Sequence, residues 1–94
     1  MKFEYYDAEQ DWLYMIDFNG EHFKSPLQGF VLEVKTNMKR MDGTVGLVLI
    51  HRDYVNIDNG HIHWAKYHTR KDDPLTSESF RRFAQKLINN KAFM

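Results

Sequence analysis

Residues Thr44–Thr69, TVGLVLIHRDYVNIDNGHIHWAKYHT, decide how the rest of the chain is read. Two apolar-rich runs flank Asn59-Gly60, a strong hairpin signal because a type I′ turn needs positive φ at both central residues. The stretch holds four of the five histidines and one of the two tryptophans, so its register decides which polar groups share a face. A two-residue loop pairs Asp58 with His61, Ile57 with Ile62, Asp53 with Lys66 and His51 with His68. It sorts apolar from polar residues and opposes Asp53 to Lys66. A three-residue loop with a bulge would slip the pairing by one and bring His51 and Asp53 onto one face with His61 and His63. The two-residue loop is the expected one.

Upstream, Gly29–Met38 reads as a strand with Phe30, Leu32, Val34 and Met38 on one side, and Asp42-Gly43 as the turn into a strand over Thr44–Ile57. With Asp-Gly as a two-residue loop, Glu33 opposes Arg52 and Val34 opposes His51, and Val45, Leu47, Leu49, Val55 and Ile57 join the apolar face. Lys2–Tyr6 and Trp12–Phe18 are further strands, and Asn19-Gly20 is expected to close a hairpin into Glu21–Lys24, pairing Ile16 with Phe23 and Asp17 with His22. Ser25-Pro26 interrupts, since proline lacks the ladder N–H.

The C-terminal segment reads as a helix. Thr76 is the expected N-cap, Leu75 and Phe80 occupy hydrophobic-staple positions, and Glu78 suits the first turn. Phe80, Phe83, Ala84, Leu87 and Ile88 make the core-facing stripe, with Arg81, Arg82, Gln85, Lys86 and Asn89 on the solvent side. The expected fold is therefore α+β: an antiparallel meander of five to six strands, with one C-terminal helix packed on one sheet face.

At 94 residues the chain is one domain, and with 43% apolar residues it can build a core without staples. It has no cysteine, which excludes disulfides and thiolate metal sites. No signal-peptide pattern opens it and no apolar run approaches a membrane span, so a cytoplasmic protein without membrane partners is expected. Net charge is zero but unevenly placed. Residues 1–33 carry seven acids against Lys2 and Lys24, and residues 34–94 carry six acids against eleven basic residues. Such asymmetry points to a macromolecular partner or to neutralisation within the fold.

Two chemical sites are conceivable on the hairpin. His51 and Asp53 with His68, or in the bulged register with His61 and His63, have the ligand types of a metal centre. Neither spacing matches a specific motif, and Lys66 beside Asp53 opposes a cation, so no metal or other cofactor is expected. His51, His68, Asp53 and Lys66 also supply groups for acid–base hydrolysis. An ordinary cross-strand ion pair accounts for the same residues, and enzyme is the minority reading.

The sheet face away from the helix is more informative. It is expected to present Val31, Val48 and Ile50 as an apolar strip ringed by Arg52, Tyr54, His63 and Tyr67, residue types that anchor interfaces. A small non-enzymatic binding protein follows, regulating or inhibiting a macromolecular partner through this face. The acidic N-terminal third, with Asp7, Glu9 and Asp11, is a second expected contact. A protein partner fits best, a second copy of the chain among the candidates. The alternative is single-stranded DNA or RNA, with Tyr54 and Tyr67 stacking bases and Arg52, Lys66, Arg70 and Lys71 tracking phosphates.

Strands followed by a terminal helix, with Val48-Leu49-Ile50, Arg52-Asp53-Tyr54, Arg70-Lys71 and Leu75-Thr76, loosely resemble the single-strand DNA-binding transcriptional coactivators over the last half of the chain. That resemblance implies the nucleic-acid alternative. Asp72-Asp73-Pro74 stands where those proteins carry a glycine after the basic pair, which removes the likeness at the DNA-binding loop.

Overall fold

Asn59 (φ 51°) and Gly60 (φ 79°) both adopt the left-handed conformation that a type I′ turn requires. The computed structural model describes residues 1–18, 22–65 and 72–93. Five strands, β1 (Lys2–Asp7), β2 (Trp12–Asp17), β3 (Gly29–Lys39), β4 (Val45–Asp58) and β5 (His61–His63), form one antiparallel meander in chain order. A 3-10 turn over Pro74–Thr76 leads into helix α1 (Glu78–Asn89). The two-residue register holds, with Asp58 opposite His61 and Ile57 opposite Ile62. The expected pairings of Lys66 and His68 lie outside the described residues.

Two departures change the sheet. Residues 22–24 are not a strand, and both edges of β2 are occupied instead. Ile16 pairs with Phe3 and Leu32, and Asp17 with Lys2 and Val31. The N-terminal strand, with Phe3 and Tyr5 facing the core, takes the place expected for Glu21–Lys24; the Asn19-Gly20 turn itself lies outside the described residues.

The second departure is in the β3–β4 hairpin. Arg40 N–H donates to Thr44 at 2.7 Å and Gly43 N–H to Arg40 at 3.0 Å, so the loop is the three residues Met41-Asp42-Gly43, with Gly43 at φ 88°. The Asp42 carboxylate accepts from both the backbone and hydroxyl of Thr44, which hold it below the ordinary carboxylate range. The register then shifts between Val34 and Lys35, leaving Ile50 as the extra residue of a β-bulge. Loop and bulge cancel, so Glu33 still faces Arg52 and Val34 still faces His51. Between them the faces are exchanged: Val45, Leu47 and Leu49 oppose Lys39, Asn37 and Lys35 on the outer side, and Val48 opposes Thr36 on the inner side.

The helix covers the inner face. Tyr14, Ile16, Phe30, Leu32, Val34, Val55, Ile57 and Ile62 pack with Phe80, Ala84 and Ile88. Phe80 stacks on Tyr14 with ring centroids 4.0 Å apart and planes 12° off parallel. The Tyr14 hydroxyl donates to the Pro74 carbonyl at 2.7 Å, tying the sheet to the 3-10 turn. The N-cap is Ser77, not Thr76: its Oγ accepts from Phe80 N–H at 3.3 Å. Asp73-Pro74 begins a turn of its own, capped by Asp73 and consuming Thr76, which displaces the helix start by one residue. Gln85 and Arg81 are also not simply solvated. Gln85 brackets the hairpin turn, donating to Gly60 O at 2.8 Å, while Arg81 donates to Leu75 O and lies over Trp64.

The helix ends by reversing at Lys91, at φ 49°, with Lys91 and Ala92 N–H groups bonded back to Ile88 and Leu87. This delivers Phe93 onto Phe18, 5.0 Å between centroids. A left-handed residue at this position favours glycine. Lys91→Gly should therefore stabilise the protein by about 0.5–1 kcal/mol, read as a higher urea midpoint with unchanged slope.

Candidate interaction surface

The strands deal the expected site residues to two faces. Asp53 and His51 sit on the inner face, opposite Leu32 and Val34, whereas His61 and His63 pair with Asp58 and Asn56 on the outer one. The bulged-register metal set is thus not assembled. His51 Nε2 lies 3.9 Å from Asp53 Oδ2, beyond hydrogen-bond length, and Asp53 Oδ1 accepts from Tyr54 N–H at 2.8 Å. Among the described residues no three His, Asp or Glu side chains converge on one point. Lys66, Tyr67, His68, Arg70 and Lys71 lie outside the described residues. Beyond the Asn56–His63 pair the two chains separate, and Asp53–Asn56, His63–Ala65 and Leu75 enclose about 390 Å3. Burial pushes the Tyr14 phenol well above its ordinary range.

On the outer face the expected strip is redistributed. Val31 is there, but only 8% exposed. At that end the chain folds back on the sheet: His22 stacks on Tyr54 at 3.9 Å and the Phe23 ring lies where a Cβ on Gly29 would stand. Arg52 lies over the same Tyr54 ring, 5.7 Å from its centroid. Val48 faces inward and is half-buried. The open apolar strip is Leu47, Leu49 and Ile50, 46%, 46% and 40% exposed, continuing to Val45 and flanked by Arg52. Sequence reading assigned the first two to the core. The available signal was Gly43, which suits the left-handed third position of a three-residue loop as well as a two-residue turn.

The acidic turn is a structural device. Asp7 accepts from Glu9 and Gln10 N–H, closing the β1–β2 connection. Asp11, at φ 57°, accepts from the Tyr6 hydroxyl at 2.7 Å and from the backbone and side-chain N–H of Asn37, both at 3.1 Å. Only Glu9 has no such role among the described contacts of Asp7, Glu9 and Asp11.

Family models, curated proteins and solved structures were all compared with the chain. None matches. Among the described residues no helix is long and apolar enough to cross a membrane.

Asp11 also makes a pH test of the turn. The Tyr6 hydroxyl first, then Asn37, hold its carboxyl below the ordinary 3.8. A depressed carboxylate contributes stability that is present above its unfolded pKa and lost as pH falls through its folded one. Asp11→Asn should flatten the decline of the urea midpoint below about pH 4 relative to wild type. Parallel pH profiles would show that the Tyr6–Asp11–Asn37 link contributes nothing.

Proposed function

We propose that this chain is a small non-enzymatic binding protein that regulates or inhibits a protein partner by docking its outer sheet face, in the cytoplasm. The observation that carries this is the exposed Leu47–Leu49–Ile50 strip beside Arg52, on a sheet whose inner face α1 packs against at Phe30, Leu32, Val34, Val55 and Ile57. Apolar side chains grouped around an arginine are the makings of an interface core and its anchor. Glu9, at the edge of the same end of the sheet, supplies an acidic rim contact.

The test is capture of a partner on immobilised protein, followed by titration of the purified partner against wild type and Leu49→Glu or Arg52→Ala. A hot-spot residue should weaken binding by tenfold or more, about 1.4 kcal/mol or above. Equal affinities for all three chains would refute the reading.

The single-stranded nucleic-acid reading is less well supported, since His22 already stacks on the Tyr54 ring that a base would need. Fluorescence anisotropy with labelled oligonucleotides at low salt decides it. Tight, steeply salt-dependent binding would put nucleic acid first.

A further inference from the structure

The loop that sets the β4–β5 register carries a chemistry of its own. Asn59 and Gly60 are both exposed, and beyond Gly60's chain neighbours nothing lies within 4 Å of where a Cβ on it would stand. An asparagine followed by glycine can close on itself, because the glycine nitrogen reaches the side-chain amide carbon unhindered by a Cβ. A bond forms between the Gly60 nitrogen and Asn59 Cγ, the Cγ–Nδ2 bond breaks, and ammonia leaves with the proton that the backbone amide gave up. Water then opens the cyclic imide at one of its two carbonyls, leaving aspartate or isoaspartate at position 59.

The folded turn withholds the geometry for the first step. Ring closure needs the Gly60 nitrogen nearly eclipsed with the Asn59 Cβ about the Cα–C bond. The left-handed conformation of Asn59, at φ 51°, puts the two on opposite sides of that bond. What holds Asn59 there is slight. β5 is three residues long, and its pairing with β4 ends at Asn56–His63. On the other edge of β5, Gln85 Nε2 donates to the Gly60 carbonyl at 2.8 Å while Gln85 Oε1 accepts from Ile62 N–H at 3.4 Å. One side-chain amide thus stands where a neighbouring strand would.

We propose that Asn59-Gly60 is a self-modification site gated by Gln85, and that its isoaspartate product unlocks β5 from the sheet. Isoaspartate routes the main chain through the former side-chain carbon, which adds a backbone atom inside the turn. A type I′ loop has no room for it, so the Asp58–His61 and Ile57–Ile62 pairs part and Ile62 is no longer held in the core. The aspartate product behaves differently, since Asp-Gly suits the same turn. The isoaspartate branch is therefore a one-way loosening of this end of the sheet that consumes only water.

Incubation of the full chain in mildly alkaline buffer, followed by peptide mapping with tandem mass spectrometry, tests both parts; far-UV circular dichroism checks that each variant is folded. Conversion at Asn59 should be about tenfold or more slower in the folded protein than in urea, because reaction follows the open population. Gln85→Ala should speed it about threefold or more. Asp73→Ala, which weakens the fold away from the turn, should leave it within about twofold of wild type. Asn59→Asp should unfold close to the wild-type urea midpoint, and the isolated isoaspartate form well below it. Equal rates in the folded and urea-unfolded chain, or a Gln85→Ala chain that converts no faster than wild type, overturns the proposal. So does an isoaspartate form as stable as Asn59→Asp. Acceleration by Asp73→Ala equal to that by Gln85→Ala also overturns it, since opening would then be global.

Discussion

Phe80→Ala is expected to lower stability by about 3–5 kcal/mol, the largest effect of any single side chain in the helix. Phe80 is fully buried and meets three aromatic neighbours at once: Tyr14 stacked beneath it, Tyr5 and Trp64 tilted or edge-on. Truncation removes the ring's burial, its stacking, and the wall against which the N-terminal strand rests. For a domain of this size the loss corresponds to a melting temperature lower by roughly 15–30 °C. Since marginal domains have only about 5–15 kcal/mol in total, the variant should be partly unfolded at 37 °C. A fall of less than about 1 kcal/mol in urea titration would mean that α1 is not packed on the sheet as described.

Leu75→Ala should cost about 2–5 kcal/mol. Leu75 is the one fully buried side chain of the Pro74–Thr76 turn, and its carbonyl accepts from Arg81 Nε at 2.6 Å. It fastens the start of the helix to the sheet from outside both. Asp73→Ala, which removes the cap on Leu75 N–H, should cost about 1 kcal/mol. If the two substitutions cost the same in denaturant titrations, the capping bond rather than the buried side chain holds the turn.

Local patterns made most of the architecture legible. The Asn59-Gly60 turn and the α1 stripe follow from periodicity and turn chemistry that act within a few residues, whereas the Glu33–Arg52 opposition came out as expected only because the longer loop and the bulge cancel. Where sequence reading failed, the deciding term was non-local. Both Asn19-Gly20 followed by an apolar residue and the strand at Lys2–Asp7 offered β2 a neighbour, and core contacts by Phe3 and Tyr5 favoured the second. Thr76 and Ser77 are comparable caps, and Asp73-Pro74 decided between them by starting a turn. The site was less legible than the fold, because one loop residue moved Leu47 and Leu49 from the inner face to the outer. Val48 made the opposite journey.

The bulge at Ile50 sets a direction as well as a register. A chain lacking that residue would keep every pair on both sides of the break, with Leu49 still outward and His51 still inward. What it would lose is one side chain of the exposed strip and the added right-handed twist that a bulge introduces between the far end of the β3–β4 hairpin and the sheet behind it. This single inserted residue therefore sets the heading of Val45, Leu47 and Leu49, and its removal would turn them relative to the rest of the sheet.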